Sequence, residues 1–176
     1  PSLFVITNYL VYTKVKSEFK KKGVKIFNNC DDLPSKLKFD ITRAAIVGLG
    51  WWGKVIVKNL AKSDKINVAC GVDQDLSQLK EFGVEYNIEL RDSYESVLSD
   101  ASIDSVILAT PNRLHHTHII QAAEAGKFIF CEKPLCLNAK NAKEAIRSCK
   151  ENGIVLGLGH ERRFEPAMKS LFDHVA

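Results

Sequence analysis

The stretch Ala44-Ala45-Ile46-Val47-Gly48-Leu49-Gly50-Trp51-Trp52-Gly53-Lys54 decides the fold. Four apolar residues, Ala44 to Val47, suit a short buried strand, and they run directly into a Gly-x-Gly-x-x-Gly turn that opens a helix predicted over Trp52 to Ala61. Each glycine has its own physical task. Gly48 permits the tight turn, Gly50 lets the backbone approach a pyrophosphate, and Gly53 allows the helix to pack closely on the strand. Phosphates would then rest on free N–H groups at the helix N-terminus. The bland alternative is a glycine-rich turn with no ligand.

A second feature of the same pattern follows. Asp73 stands 20 residues beyond Gly53, at the end of a strand predicted over Asn67 to Val72. An acid there accepts hydrogen bonds from the adenosine ribose hydroxyls. It also repels a 2′-phosphate, and no Arg or Lys follows until Lys80, so NAD is expected and NADP is less favoured. An ordinary acidic turn residue is the competing reading. Trp51 and Trp52, inside the glycine loop, are counted among the cofactor-contacting residues beside the phosphates. The alternative is that one covers the sheet edge and the other rests on the domain surface.

Apolar β-branched runs then alternate with helix-period segments, the pattern of βαβ units and a parallel sheet. After Asn67 to Val72 the sequence predicts a helix over Ser77 to Phe82, ended by Gly83, and a weak strand near Val84 to Tyr86. A short helix around Tyr94 to Leu98 and a strong strand at Ser105 to Ala109 follow. His115 to Glu124 reads as a helix stopped by Gly126, and Phe128 to Cys131 as another strand. Ala139 to Glu151 is an amphipathic helix with Asn138 as its N-cap and Gly153 beyond it. Ile154 to Leu158 reads as the last strand, and Glu165 to Val175 opens a further helix. The fold class is α/β.

Two segments fall at the carboxyl ends of strands, where open α/β sheets bind ligands. The first is Thr110-Pro111-Asn112-Arg113-Leu114-His115-His116, which draws attention to Asn112 and His115. For His115, local hydrogen bonding near a helix start competes evenly with a ligand-facing role. His116 and His118 lack acidic or cysteine partners at metal-ligand spacing. The second is Glu132-Lys133-Pro134. A lysine held there can reach a nicotinamide and a substrate hydroxyl, although the tripeptide alone is commonplace.

Composition bounds the rest. Of 176 residues, 45% are hydrophobic and 26% charged, which suits one folded domain plus an extension. Of the 25 Lys and Arg and the 21 Asp and Glu, residues 1–40 hold 8 lysines and 4 acids, so the remainder carries 17 of each. That body is neutral, and a nucleic-acid partner would need a basic one. Cys30, Cys70, Cys131, Cys136 and Cys149 show neither CxxC pairs nor a disulfide spacing, so they are expected to be reduced, cytoplasmic thiols. Leu3 to Tyr12 is too short and too interrupted for a membrane span or signal peptide. Residues 1–40 carry a weaker βαβ rhythm, with strands at Phe4 to Thr7 and Val24 to Phe27 around a helix at Asn8 to Lys22. They read as an extension or a partial upstream module. Opening on Pro1 suggests a piece of something longer.

Taken together, the glycine turn, Asp73, the Thr110 to His115 segment, Ala125-Gly126-Lys127 leading into Cys131-Glu132-Lys133-Pro134, and Gly159-His160-Glu161-Arg162-Arg163-Phe164 resemble the glucose-fructose oxidoreductase, inositol dehydrogenase and rhizopine-catabolism (Gfo/Idh/MocA) family. The resemblance runs from about Arg43 to Leu171. It implies a Rossmann-type doubly wound parallel sheet over residues 41–160, with 161–176 beginning a connection to the family's second α/β domain. It also implies a nicotinamide cofactor and reversible oxidation of a sugar or cyclitol hydroxyl, with Lys133 catalytic, close to the reacting carbon. The cofactor residues it implies are Gly48, Gly50, Trp51, Trp52, Gly53, Asp73, Thr110, Pro111, Asn112, His115, Glu132, Lys133 and Arg163. For Arg163, a place near the cofactor or domain junction competes with a structural salt bridge.

The family's second domain supplies the substrate pocket, a His or Asp partner for proton transfer, and usually the homo-oligomer contact. That domain is expected beyond Ala176, so these residues alone are not expected to turn substrate over. The competing class of function is a non-catalytic dinucleotide-binding protein, such as a redox-responsive regulator. Lys133 separates the two, since a binder has no use for a lysine aimed at the nicotinamide.

Overall fold

Odd and even residues of the first strand point to opposite sides of a sheet, and both sides are apolar: Ala45 and Val47 enter one core, Ala44 and Ile46 the other. A strand buried on both faces belongs in the middle of a parallel sheet covered by helices on each side. The computed structural model, which describes residues 42–160 and 165–175, has that architecture. Its strands are β1 (Thr42–Val47), β2 (Ile66–Val72), β3 (Glu89–Arg91), β4 (Ser105–Leu108), β5 (Phe128–Glu132) and β6 (Leu156–Gly159). Between and after them lie α1 (Trp51–Leu60), α2 (Lys80–Glu85), α3 (Tyr94–Leu98), α4 (Asn112–Glu124), α5 (Ala139–Glu151) and α6 (Pro166–Val175). The sequence readings for residues 1–40 and for Arg163 lie outside the described residues.

All five strand pairings are parallel, in the order β3-β2-β1-β4-β5-β6. The chain winds outward from β1 to β3, returns to β4 on the other side of β1, and continues to β6. This reversal between β1 and β4 opens a crevice at their carboxyl ends. One core joins β1, β2, β4, β5 and β6 to α3, α4 and α5 through Val97, Ile119, Ala122, Ala145 and Cys149. The other packs α1 and α2 on the sheet through Leu49, Val57, Leu79 and Phe82. Caps fix helix starts: the Asn138 side chain accepts from the Asn141 amide at 2.9 Å and Ser93 from Ser96 at 3.2 Å, each worth about 1 kcal/mol.

Two expected elements are corrected. The helix expected over Ser77 to Phe82 lies at Lys80–Glu85, because the Asp75 carboxylate accepts from the Ser77 amide and hydroxyl and holds the preceding residues in a turn. Gly83 does not end that helix. It is buried inside it, where a Cβ would come within 3.0 Å of the Leu90 side chain. The expected strand at Val84 to Tyr86 is therefore the end of α2, and the strand follows a turn at Asn87, whose φ is 51°. In addition, α4 begins three residues earlier than expected, at Asn112, with Pro111 before it.

Candidate cofactor crevice

The glycine turn behaves differently at each of its three glycines. Gly48 has a φ of +94°, and a Cβ there would lie 2.6 Å from the Ala109 carbonyl oxygen. A Cβ on Gly53 would collide with the Gly48 carbonyl oxygen. At Gly50 a Cβ would meet nothing within 4 Å. The protein itself thus requires the first and third glycines, whereas the second keeps clear a space outside the backbone. That space lies over the start of α1, which has no side-chain cap and no acid in its first turn. Such a helix start suits a pyrophosphate.

Asp73 is half-buried just past β2. Its Oδ2 accepts from the Leu49 amide at 2.7 Å, while Oδ1 has only a long contact, 3.4 Å, from the Asp75 amide. The carboxylate therefore braces the glycine turn with one oxygen, a task the spacing alone did not reveal.

Trp51, Trp52, Ala109, Thr110, Asn112, Glu132, Lys133 and Glu165 line one crevice of about 560 Å³, a size typical of ligand sites. The glycine loop, the β4 end and the β5 end thus meet in one place. Trp51 is 77% exposed, its ring centroid lies 5.4 Å from that of Trp52, and the Trp52 Nε1 is buried with no hydrogen-bond partner among the described residues. Lys133 presents an exposed side chain, and its amide donates to the Glu132 carboxylate at 3.2 Å. Glu132 itself is buried over Gly159, where a Cβ would come within 2.7 Å of its Oε1. Pro111 sits exposed at the start of α4 and Asp73 lies on the β2 side of the glycine turn; neither lines this crevice. Glu165 was missed from sequence because nothing in its spacing marks it.

His115 is corrected: its side chain does not face the crevice. It is fully buried, with Nδ1 2.8 Å from the Pro134 carbonyl oxygen and Nε2 2.9 Å from that of Thr110. Each ring nitrogen thus faces a backbone carbonyl. Nearby, Thr110 Oγ1 lies 3.5 Å from His118 Nδ1, and burial, with His115 second, holds the His118 imidazole below its usual range. Lys127 is also buried, donating from Nζ to the Asp100 and Ile103 carbonyls at 2.6 and 2.8 Å. Cys70, Cys131, Cys136 and Cys149 are free thiols, all pushed up by burial, Cys149 to about 12. No described helix is long and apolar enough to cross a membrane.

A parallel doubly wound sheet with a glycine turn at its switch point and an acid past the neighbouring strand has the form of a dinucleotide-binding α/β domain. The chain belongs to the Gfo/Idh/MocA oxidoreductase family, whose NAD-binding Rossmann fold matches residues 42–160. It is 41% identical over 128 residues to the NAD(+) scyllo-inositol 2-dehydrogenase of Bacillus subtilis strain 168, covering 71% of this chain and 37% of that protein. It is 30% identical over 135 residues to an NADP(+) scyllo-inositol 2-dehydrogenase of the same organism, covering 76% and 41%. Among solved structures, apo scyllo-inositol dehydrogenase from Lactobacillus casei superposes with a TM-score of 0.72 at 25% identity, covering 78% of this chain and 42% of that one. The chain thus spans about two fifths of the length of these relatives.

Proposed function

We propose that this chain is the cofactor-binding part of a dehydrogenase that moves a hydride between NAD and a sugar or cyclitol hydroxyl. The carrying observation is the exposed Lys133 side chain, in one crevice with Asn112, Thr110 and the tryptophans of the glycine turn. With the pyrophosphate over Gly50 and the adenosine ribose at Asp73 on the β2 side, the nicotinamide half falls on the β4 and β5 side, beside Lys133. When bound, the dinucleotide supplies or accepts the hydride. The ammonium of Lys133 donates a hydrogen bond to the substrate oxygen and carries its proton as general acid or base. Thr110, Asn112, Glu132 and the tryptophans wall the ring, and Arg163 lies near it or at the domain junction. A non-catalytic binder would keep the glycine turn but has no need of Lys133.

The relatives' names include both NAD(+) and NADP(+) enzymes. The choice of NAD therefore rests on the more weakly held oxygen and the charge of Asp73. The sugar or cyclitol class rests on the inositol dehydrogenases among the relatives. In this reading residues 1–40 are an extension and 41–160 the dinucleotide domain. Residues 161–176 lead to a substrate domain that brings a His or Asp partner and the homo-oligomer contact, in a cytoplasmic enzyme. Fluorescence titration of the 176-residue chain with NADH and NADPH tests the proposal. Saturable binding of NADH, tighter than NADPH by about 1–3 kcal/mol, is expected. Binding of neither would overturn the reading, and equal or reversed affinities would overturn the choice of NAD.

A further inference from the structure

His115 touches neither solvent nor the crevice, yet it joins two of the crevice's walls. The β4–β5 ladder pairs Ser105–Leu108 with Phe128–Cys131, and past Leu108 and Cys131 the two chains leave this register in the Thr110–Asn112 segment that enters α4 and the Glu132–Pro134 segment that ends β5. The His115 ring spans them, with 2.8 Å to the Pro134 carbonyl and 2.9 Å to the Thr110 carbonyl. Both contacts are to backbone, so they fix the course of the chain just after Lys133 and just ahead of Asn112. Holding a ligand-facing group by a locked neighbour is a general requirement of precise sites.

The glycine turn is anchored by other bonds. The Gly48 amide donates to the Val72 carbonyl at 2.8 Å, the Ala109 amide to the Val47 carbonyl at 2.8 Å, and the Leu49 amide to Asp73 at 2.7 Å. None of these runs through His115. The glycine turn is therefore held without His115, by Asp73 and by ladder bonds to β2 and β4, whereas beyond the β4–β5 ladder the imidazole ties the Thr110 carbonyl to that of Pro134.

We propose that His115 is a positioning residue that sets the separation of the Thr110–Asn112 and Glu132–Pro134 segments and so governs the fit of the nicotinamide half of the cofactor without touching it. The proposal rests on reading the crevice as a nicotinamide dinucleotide site. Its signature is selective: loss of the imidazole weakens a ligand that carries the nicotinamide and spares one that ends at the ribose.

Calorimetric titration of the 176-residue chain with NADH and with ADP-ribose reads this out, on wild type, His115→Asn and His115→Gln, each first melted to establish folding. NADH affinity is expected to fall roughly tenfold in His115→Asn, the scale of losing a buried hydrogen bond, with ADP-ribose changed by less than about twofold. His115→Gln places its amide one methylene further out, closer to the reach of the imidazole Nε2, and is expected to lie between. Equal losses for both ligands mean general destabilisation and overturn the proposal, as does no loss for either. If neither variant melts cooperatively, His115 is a folding residue and the specific role is again overturned. Wild type that binds ADP-ribose but not NADH overturns it as well, and wild type that binds neither removes the dinucleotide reading beneath it.

Discussion

The Asp73 carboxylate accepts the Leu49 amide at 2.7 Å, so the residue proposed to face the ribose also holds the glycine turn in place. The two tasks use different properties of the side chain. Bracing needs an acceptor oxygen, whereas discrimination against a 2′-phosphate needs the negative charge. Asp73→Asn retains a carbonyl oxygen for the Leu49 amide and loses the charge. It should leave the melting temperature within a few degrees and narrow the NADH over NADPH preference by about tenfold, near 1.4 kcal/mol. Asp73→Ala should instead weaken both nucleotides and lower the melting temperature. Nucleotide fluorescence and thermal melts on the two variants make the comparison, and an unchanged preference in Asp73→Asn would remove the charge from the account of specificity.

The glycine turn separates folding from binding in a second pair of variants. A Cβ at Gly50 meets no protein atom within 4 Å, and its φ of −62° is one that any residue adopts. Gly50→Ala should change stability by no more than about 1 kcal/mol but lose dinucleotide affinity, because the methyl would stand where the proposed site puts the pyrophosphate. Gly53→Ala sets a methyl against the Gly48 carbonyl oxygen and must shift α1 off β1. It should cost about 1–3 kcal/mol, as overpacking does. If Gly50→Ala binds NADH as wild type does, the phosphate is not there.

Much of this was legible because the signals are local. A four-residue apolar run, three glycines and an acid 20 residues on gave β1, α1 and the end of β2, and strong strands such as Ser105–Leu108 declare themselves by β-branched content. Gly83 misled because glycine ends helices and also permits close packing, and only the nearness of Leu90 shows which it does. His115 was undecidable for a related reason: its two partners are backbone carbonyls, 5 and 19 residues away, which no side-chain pattern encodes. Lys127 entered as one letter of a motif, and its buried ties to Asp100 and Ile103 emerge only once β4 and β5 are adjacent.

Acid should loosen the turn that Lys127 grips. Asp100 accepts from the Ser102 hydroxyl at 2.7 Å, from Arg91 at 2.8 Å and from the Ser102 amide at 2.9 Å. These bonds, the Ser102 hydroxyl foremost, hold its carboxyl at about 2, below the ordinary 3.8. A carboxyl depressed in the folded state contributes stability that is complete above its unfolded value and is lost as pH falls through the folded one. The melting temperature should therefore decline between about pH 4 and pH 2. Asp100→Asn should melt lower at neutral pH and show a shallower decline over that window, the remainder coming from groups such as Glu89 and Glu95, also held low. An acid limb of unchanged slope would show that Asp100 is not among its causes.

Lys133 offers the sharpest test of catalysis, in a form of the protein that joins this chain to a substrate domain. Its side chain is exposed in the crevice, and its backbone amide is tied to Glu132 at 3.2 Å. Lys133→Met keeps the length and apolar bulk and deletes the charge and the donors. If the ammonium handles the proton of the substrate hydroxyl, kcat should fall about 100-fold or more, the usual worth of a positioned acid–base group. The dissociation constant for NAD should meanwhile move by less than about fivefold, because the glycine turn and Asp73 hold the larger part of the dinucleotide. A structural role predicts the opposite split, with a lowered melting temperature and a kcat that survives on the folded fraction. Melting and turnover measured on one preparation distinguish them: a destabilised but fully active variant would end the catalytic assignment, and an intact, inactive one would leave Lys133 as the group that moves the proton.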